Sequence, residues 1–296
     1  MSTAAEKKSP KLAICVFGCI TVPKYAMQIM KIQNTWGKRA TETWGVPVYY
    51  FLGEERVPGI SENPDRLIHP STNFVYLPGV NNDYESASWK QSLGIKYIMD
   101  KHPDMDFIYV CGTDTYVNID RMLHFLQFFD PEEKLYIGGH NNGTKLPREM
   151  VDCDDHVETP FFFGGAGFVL TKAVLRELYP LLETMTPNWV QTVIKHGRKE
   201  LDSSCDVMIA YHVRKLGAKY IQYYHRFYEC NHIGQLDLQH LFDYNRYFEC
   251  CDRHIEQKNI ITCHHMRDNP DEFAHFTGIL EQYNWFMKGR DTESVL

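Results

Sequence analysis

The hydrophobic residues of this chain fall into short apolar runs separated by longer amphipathic stretches. Four of these runs are typical of buried strands, and they lie at 12–18, 46–52, 73–77 and 107–111. Helices are predicted between them at 23–36 and 83–101, the first with Pro23 in its opening turn and Gly37 at its end. Alternating strands and helices are typical of a mostly parallel sheet covered on both faces. The pattern therefore predicts an α/β fold.

The second half of the chain is less regular. The pattern predicts helices at 119–129, 172–182, 189–196 and 202–216, a short strand at 135–137, and an apolar strand at 161–170 that contains three glycines. Two polar stretches, 53–72 and 152–155, are predicted to be loops, and the second contains Asp152, Asp154 and Asp155. The region after Tyr220 is rich in His, Tyr and Cys and has no clear periodicity.

Composition narrows the possible classes of function. With 296 residues, of which 44% are hydrophobic, the chain can bury a substantial core. A net charge of −7 argues against nucleic acid as the main partner. The apolar run at 12–20 is too short to span a bilayer, and the polar tail at 1–10 has no signal-peptide pattern. We therefore expect a cytoplasmic protein without a transmembrane anchor, or a lumenal one if Met1 is not the natural start.

The nine cysteines are an odd number, and none of them forms a CxxC pair. This spacing argues against a structural zinc knuckle. Reduced and mostly buried thiols are the expected state. A partial set of disulfides in a lumenal protein is the alternative.

The first candidate for chemistry is the loop at 112–115. It follows the apolar run 107–111, and ligands of parallel sheets bind beyond the carboxyl ends of the strands. Asp114 in this loop could bind a hard divalent ion that bridges diphosphate oxygens. Spacing alone favours another interpretation, in which Asp114 caps the following helix.

Six segments of the chain, taken in order, resemble one enzyme family. The run at 109–118, YVCGTDTYVN, is similar to the acidic metal motif of the fringe and core 1 β1,3-galactosyltransferase family. Further similar segments lie at 35–39, 90–98, 164–170, 206–207 and 261–264. The resemblance covers roughly 11–267. It implies a GT-A-type glycosyltransferase fold with a Rossmann-like, mostly parallel sheet. The fold would form a single domain at 11–290, with a nucleotide-binding half at about 11–120 and an acceptor-binding half at about 121–290.

The resemblance also implies roles for individual residues. Asp114 and His264 would hold a manganese ion or another divalent cation, and Lys90 would face the diphosphate of the donor. Asp206 would be the general base for the acceptor hydroxyl. It precedes Ile209 at helical spacing and so lies on the inward face of its helix. The alternatives are a helix cap for Asp206, a structural histidine at 264 and a solvated lysine at 90.

This chain departs from the family pattern at its acidic motif. Relatives usually carry three consecutive acids where the chain has Gly112, Thr113 and Asp114, so only the last acid is retained. The missing acids usually help to hold the ribose and the waters on the metal. Thr113 is therefore a candidate donor contact. Gly165 and Gly167 are further candidates, since a glycine lets the backbone approach a ligand closely.

The function implied by the resemblance is an inverting, metal-dependent transfer of a sugar from a UDP-sugar to a glycan or glycoprotein acceptor, with a β1,3 linkage. A noncatalytic sugar-nucleotide or glycan-binding relative is the alternative, because the acidic motif is reduced. A metal-dependent hydrolase that uses the His and Asp residues is the third possibility. Family members usually lie in the Golgi behind a membrane anchor, so the Golgi lumen is the alternative compartment.

Overall fold

The computed structural model describes residues 9–54, 73–139, 141–144, 150, 159–223, 226–228, 247–250, 253–256 and 261–264. The strands, in chain order, are β1 (Leu12–Phe17), β2 (Val48–Gly53), β3 (Phe74–Leu77), β4 (Phe107–Cys111), β5 (Tyr116–Val117), β6 (Leu135–Gly138), β7 (Asn141–Thr144), β8 (Thr159–Phe162), β9 (Phe168–Thr171), β10 (Lys219–Gln222), β11 (Phe227–Tyr228), β12 (Tyr247–Cys250), β13 (Arg253–Glu256) and β14 (Thr262–Cys263). The helices are α1 (Pro23–Asn34), α2 (Trp36–Trp44), α3 (Ala87–Lys101), α4 (Ile119–Leu126), α5 (Lys172–Leu178), α6 (Met185–Lys195) and α7 (Cys205–Lys215). Short 3-10 turns lie at Tyr179–Leu181 and Lys199–Leu201.

The main sheet has seven strands in the order β10-β6-β9-β4-β1-β2-β3. Strand β9 runs antiparallel to both of its neighbours, and the other described pairings in this sheet are parallel. The predicted α/β fold class, with a mostly parallel central sheet flanked by helices, is confirmed. Smaller sheets join β11-β14-β5, β12-β13 and β7-β8.

The central strands are apolar throughout because both faces of the sheet are covered. Along β1, Ile14 and Val16 belong to one hydrophobic core, whereas Ala13 and Cys15 belong to the other. Successive side chains of a strand point to opposite faces, so a strand between two helical layers needs apolar residues at every position. This is why the sequence showed continuous apolar runs here instead of alternation.

The end predicted for the first helix at Gly37 is wrong. A second helix, α2, starts at Trp36 and contains Gly37, and it ends before Gly45, which has a φ of 63°. A methyl group at position 37 would lie 2.7 Å from the carbonyl oxygen of Ile32. Gly37 is therefore required by close packing inside the helix, and Gly45 is the residue that terminates it.

The single apolar strand predicted at 161–170 is also wrong. The segment forms β8 and β9, which belong to different sheets and are separated by a turn at 163–167. Both strands contain buried apolar residues, so hydrophobicity alone did not show the reversal of direction between them. The turn contains the three glycines of the segment and forms part of the candidate site.

Other predicted elements differ from the structure mainly at their ends. The predicted loop at 152–155, most of the loop at 53–72 and most of the region after Tyr220 lie outside the described residues. Cys15, Cys19, Cys111 and Cys205 have free thiols, and all of them but Cys205 are buried. Within the described part of the chain, no helix has both the length and the apolar character needed to cross a membrane.

Candidate active site

A cleft of about 590 Å³ lies beyond the carboxyl ends of β1 and β4. Its walls come from the ends of these two strands, from the glycine-rich turn at 163–165 and from the segment 203–207 at the start of α7. The sequence-predicted site residues that line it are Lys90, Thr113, Asp114, Gly165, Asp206 and His264. The fold therefore gathers six of the seven candidates, taken from distant parts of the chain, around one cavity.

Asp114 and His264 are brought together by the small sheet that joins β5 and β14. These strands are antiparallel, with Cys263 opposite Tyr116. His264, directly after β14, therefore lies beside the loop with Asp114, directly before β5. Asp114 Oδ1 lies 3.3 Å from His264 Nε2, and both side chains are largely buried. A carboxylate and an imidazole thus share one wall of the cleft.

The geometry of this pair fits two adjacent ligands of one divalent ion. Ligand atoms about 2.1 Å from an ion and at right angles to each other are about 3.0 Å apart, close to the observed separation. No group of three or more His, Cys, Asp or Glu residues suited to a metal occurs within the described ranges. An ion held by Asp114 and His264 would complete its shell with water and ligand oxygens, as small divalent ions often do.

The interpretation of Asp114 as a helix cap is wrong, because Asn118 caps α4. The side-chain oxygen of Asn118 accepts a hydrogen bond from the backbone N–H of Arg121 at 3.1 Å. The Asp114 carboxylate instead lies in the cleft beside His264.

We expect Asn118→Ala to lower the free energy of unfolding by about 1 kcal/mol, the usual loss for an N-cap. Urea denaturation would measure it. Asp114→Ala serves as the comparison, since it removes no cap. An unchanged urea midpoint for Asn118→Ala would show that the Asn118 cap does not stabilise the folded protein.

The family-like segment at 35–39, TWGKR, had no predicted role, and it contacts the chain next to Asp114. The indole N–H of Trp36 donates to the carbonyl oxygen of Thr115 at 3.0 Å, and Trp36 is fully buried. Arg39 forms an ion pair with Asp120 of α4 at 2.9 Å. Helix α2 therefore contacts the chain directly after Asp114, at Thr115 and again at Asp120.

Thr113 lines the cleft, yet its hydroxyl is turned towards helix α1. It donates a hydrogen bond to Gln28 Oε1 at 2.6 Å, and both side chains are buried. The position that usually carries a family acid thus holds a neutral, internal hydrogen bond. Gln28 was not identified from the sequence, where it was one polar residue of an amphipathic helix.

Asp206 lies in the first turn of α7, as predicted, and contacts residues of other elements. Its Oδ2 accepts from the backbone N–H of Gly164 at 2.8 Å, and its Oδ1 accepts from Gln91 Nε2 at 3.2 Å and from Cys205 Sγ at 3.3 Å. Burial raises the pKa of Asp206 above its usual value, and these hydrogen bonds offset part of that effect. The residue at the N-cap position of α7 is Ser204, so the alternative of a helix cap at Asp206 is not supported.

Gly164 and Gly165 have no side chains, and Asp206 and His264 occupy the volume that side chains there would fill. A methyl group at Gly164 would lie 2.4 Å from Asp206 Oδ1, and one at Gly165 would lie 2.2 Å from the His264 ring. Any larger residue would displace the carboxylate or the imidazole. The glycines were expected to admit a ligand, whereas the structure shows that they admit two functional side chains.

Gly167 does not line the cleft, and this differs from the predicted donor contact. It has a φ of 77°, and a methyl group there would lie 2.1 Å from the hydroxyl oxygen of Tyr109. That hydroxyl donates to the carbonyl oxygen of Ala166 at 2.8 Å. Gly167 is therefore a packing and turn residue.

Lys90 is almost fully buried, so the interpretation as a solvated lysine is wrong. Its side chain is 1% exposed and lines the cleft, and its ammonium donates to the carbonyl oxygen of Asp83 at 2.6 Å. Burial lowers the pKa of Lys90. A cation inside an otherwise acidic chain is suited to an anionic ligand.

The rim of the cleft has two tyrosines that the sequence analysis did not identify. Tyr25 and Tyr84 both line it, with ring centroids 6.3 Å apart and an angle of 19° between the ring planes. Tyr84 is 68% exposed, which is unusual for a large aromatic side chain. Neither residue lies in a recognisable motif.

Sequence comparison identifies the family of this chain. Residues 82–281, about two thirds of the chain, match the Fringe-like family. The chain belongs to the Fringe-like family. The predicted resemblance is therefore confirmed, and the matched region of this Fringe-like chain contains all seven predicted site residues.

Two curated relatives are similar to the Fringe-like chain over part of its length. Human N-acetyllactosaminide beta-1,3-N-acetylglucosaminyltransferase 4 is 23% identical over 175 residues, which cover 54% of this chain and 45% of that protein. The mouse protein of the same name is 23% identical over 209 residues, covering 66% and 54%. The chain thus spans about half the length of the curated relatives it matches.

Two solved structures are also similar. A glycosyltransferase involved in the glycosylation of the major capsid of PBCV-1 is 15% identical, with a TM-score of 0.46 and coverage of 91% of this chain and 100% of that chain. The catalytic domain of Drosophila beta1,4galactosyltransferase 7, in complex with xylobiose, is 11% identical, with a TM-score of 0.35 and coverage of 72% and 64%.

Proposed function

We propose that this Fringe-like chain is a glycosyltransferase that moves a sugar from a UDP-sugar to a hydroxyl of a glycan or glycoprotein. The reaction we propose is metal-dependent and inverts the anomeric configuration. Membership of the family supports the reaction class. The arrangement of the cleft supports the mechanism.

One observation carries the mechanistic part of this proposal. Asp206 packs against Gly164, and His264 packs against the next residue, Gly165, with Asp114 at 3.3 Å from His264. A partly buried carboxylate and a pair suited to a metal therefore lie on neighbouring parts of one cavity. Sugar transfer needs both functions in one site, a base for the acceptor and a positive charge for the leaving diphosphate.

Asp114 and His264 are the residues that would hold the divalent ion, for which we propose manganese. When bound, such an ion stabilises the negative charge of the departing diphosphate as a Lewis acid. Lys90 supplies a second cation in the same cleft, and its low exposure keeps that charge poorly screened by water.

Asp206 is the proposed base. It removes the proton from the acceptor hydroxyl, whose oxygen attacks the anomeric carbon on the face opposite the diphosphate. A single displacement of this kind inverts the configuration, so an α-linked donor gives a β-linked product. The raised pKa of Asp206 makes its carboxylate a stronger base than that of an exposed aspartate.

The β1,3 linkage rests on the family and on the names of the curated relatives, which are β1,3-N-acetylglucosaminyltransferases. The donor sugar is left open. Thr113 is hydrogen-bonded to Gln28 in the protein interior where relatives carry an acid, so we propose that the ribose is held differently here. The same feature favours the second candidate function, a binding protein that has lost turnover.

A screen of UDP-sugars against a panel of glycan acceptors, with and without manganese, tests the proposal. We expect one donor to give a glycosylated product with manganese and none after chelation, with a β1,3 linkage by NMR. UDP binding without any product would support the noncatalytic alternative. Release of free sugar at a rate that is indifferent to acceptor would support a hydrolase.

A further inference from the structure

The two oxygens of the Asp206 carboxylate have different hydrogen-bond partners. A carboxylate oxygen offers about two acceptor positions. Oδ1 accepts from both Gln91 Nε2 and Cys205 Sγ, whereas Oδ2 accepts from Gly164 alone among the described residues. Only Oδ2 therefore retains an acceptor position for a further proton.

Gln91 is poorly suited to a purely structural role. It is 0% exposed on helix α3, and its Nε2 contacts Asp206 Oδ1 and also Cys205 Sγ at 3.3 Å. Its Oε1 is buried and makes no hydrogen bond within the described part of the chain. A buried, unsatisfied amide oxygen is unfavourable for folding, and an apolar residue of the same length would avoid it. The hydrogen bond that the amide nitrogen donates to Asp206 therefore explains why an amide occupies this position.

Helix α3 holds the start of α7 through a second contact one turn away. Ser88 Oγ lies 3.5 Å from the carbonyl oxygen of Ser203, three residues along the helix from Gln91. Ser204, at the N-cap position of α7, makes no side-chain capping bond. The side-chain contacts that hold the start of α7, where Asp206 lies, therefore come from α3 and not from an N-cap side chain of α7.

We propose that Gln91, together with Cys205, is a positioning residue that occupies Oδ1 and so makes Oδ2 the oxygen that accepts the proton. This inference rests on the proposed function, with Asp206 as the base. The O–H bond of the acceptor breaks, a new O–H bond forms at Asp206 Oδ2, and the acceptor oxygen uses its electron pair to bond the anomeric carbon. The bond from that carbon to the diphosphate breaks, and the diphosphate leaves with its electron pair.

The first test is steady-state kinetics with the full chain. Gln91→Met keeps the length of the side chain and removes its donor, so we expect kcat to fall by about 10-fold or more, a part of what a general base supplies. The donor KM should stay within about twofold, since Gln91 does not line the cleft. Cys205→Ser keeps a donor at this position, so its loss of kcat should be smaller than that of Cys205→Val.

Ser92→Ala is the matched control. Ser92 is 0% exposed on the same helix and contacts Thr186 Oγ1 at 3.3 Å, away from the cleft. We expect it to lower the urea midpoint without changing kcat. If Gln91→Met behaved in the same way, its role would be structural and the proposal would be wrong.

A double-mutant cycle tests the contact without any turnover. The urea midpoint is measured for Gln91→Met, Asp206→Asn and the double variant, and we expect non-additive shifts because the two side chains touch. Additive shifts would overturn the contact itself. Non-additive shifts would confirm the contact between Gln91 and Asp206 even if the protein turned over no UDP-sugar. In that case the proposed function would be wrong, and a catalytic positioning role for Gln91 would be wrong as well.

Discussion

Asp206→Asn lowers kcat for sugar transfer by about two to four orders of magnitude, the usual contribution of a general base. The substitution keeps the size of the side chain and its place against Gly164, so the cleft keeps its shape. It removes the negative charge that would take the acceptor proton, and it replaces one of the two accepting oxygens by an NH2 group. Donor affinity, measured by titration with UDP, should stay within about twofold.

The pH dependence of the wild-type protein should agree with this result. A base acts when ionised, so kcat falls as the pH drops through the pKa of Asp206, which burial places above that of an ordinary aspartate. For folding, a carboxyl whose pKa is raised in the folded state favours the protonated form. Its ionisation therefore costs stability as the pH rises from the unfolded towards the folded pKa. Because Asp206→Asn removes this ionisation, we expect its melting temperature to vary less with pH than that of the wild type.

Asp202→Asn is the matched control for this prediction. Asp202 lies four residues earlier, just before α7, and does not line the cleft. We expect its kcat and pH profile to match those of the wild type. If Asp206→Asn retained a tenth or more of the wild-type kcat, Asp206 would not be the base.

The second large effect is expected at the proposed metal site. Asp114→Ala should lower manganese-dependent turnover by about 100-fold or more, because an ion held there would stabilise the leaving diphosphate by several kcal/mol. His264→Ala should have a similar effect, and the double variant little more, since both residues would serve one ion. Chelation of the wild-type protein should produce a comparable loss that added manganese reverses.

Metal binding itself gives a readout that does not depend on activity. Electron paramagnetic resonance of free Mn²⁺ measures its affinity for each variant, and we expect both substitutions to weaken it strongly. Asp104→Ala is the control, because Asp104 lies before β4 at the opposite end of that strand and pairs with Lys11. Unchanged turnover in Asp114→Ala would remove Asp114 from the metal role. If Asp114→Ala kept its affinity for Mn²⁺ but lost turnover, Asp114 would have a role in the cleft other than metal binding.

Much of the fold followed from the sequence because burial fixes the pattern of a central strand. β1, β2 and β4 lie between two cores, so their positions are apolar on both faces and their limits were predicted within two residues. Glycine was harder to interpret, since it serves several purposes. Gly37 packs inside a helix and Gly167 packs against Tyr109, although the first was expected to end a helix and the second to contact a ligand.

The sequence by itself determined the α/β class, the family and the loop that carries Asp114, because these depend on local periodicity and ordered motifs. Only the tertiary structure decided which candidate residues lie together and what they contact. The pairing of β5 with β14 brings His264 to Asp114, and the packing of α3 on α7 brings Gln91 to Asp206. These contacts join residues more than a hundred positions apart, and they depend on strand register and helix packing. Neither quantity is visible in the local pattern of a single sequence.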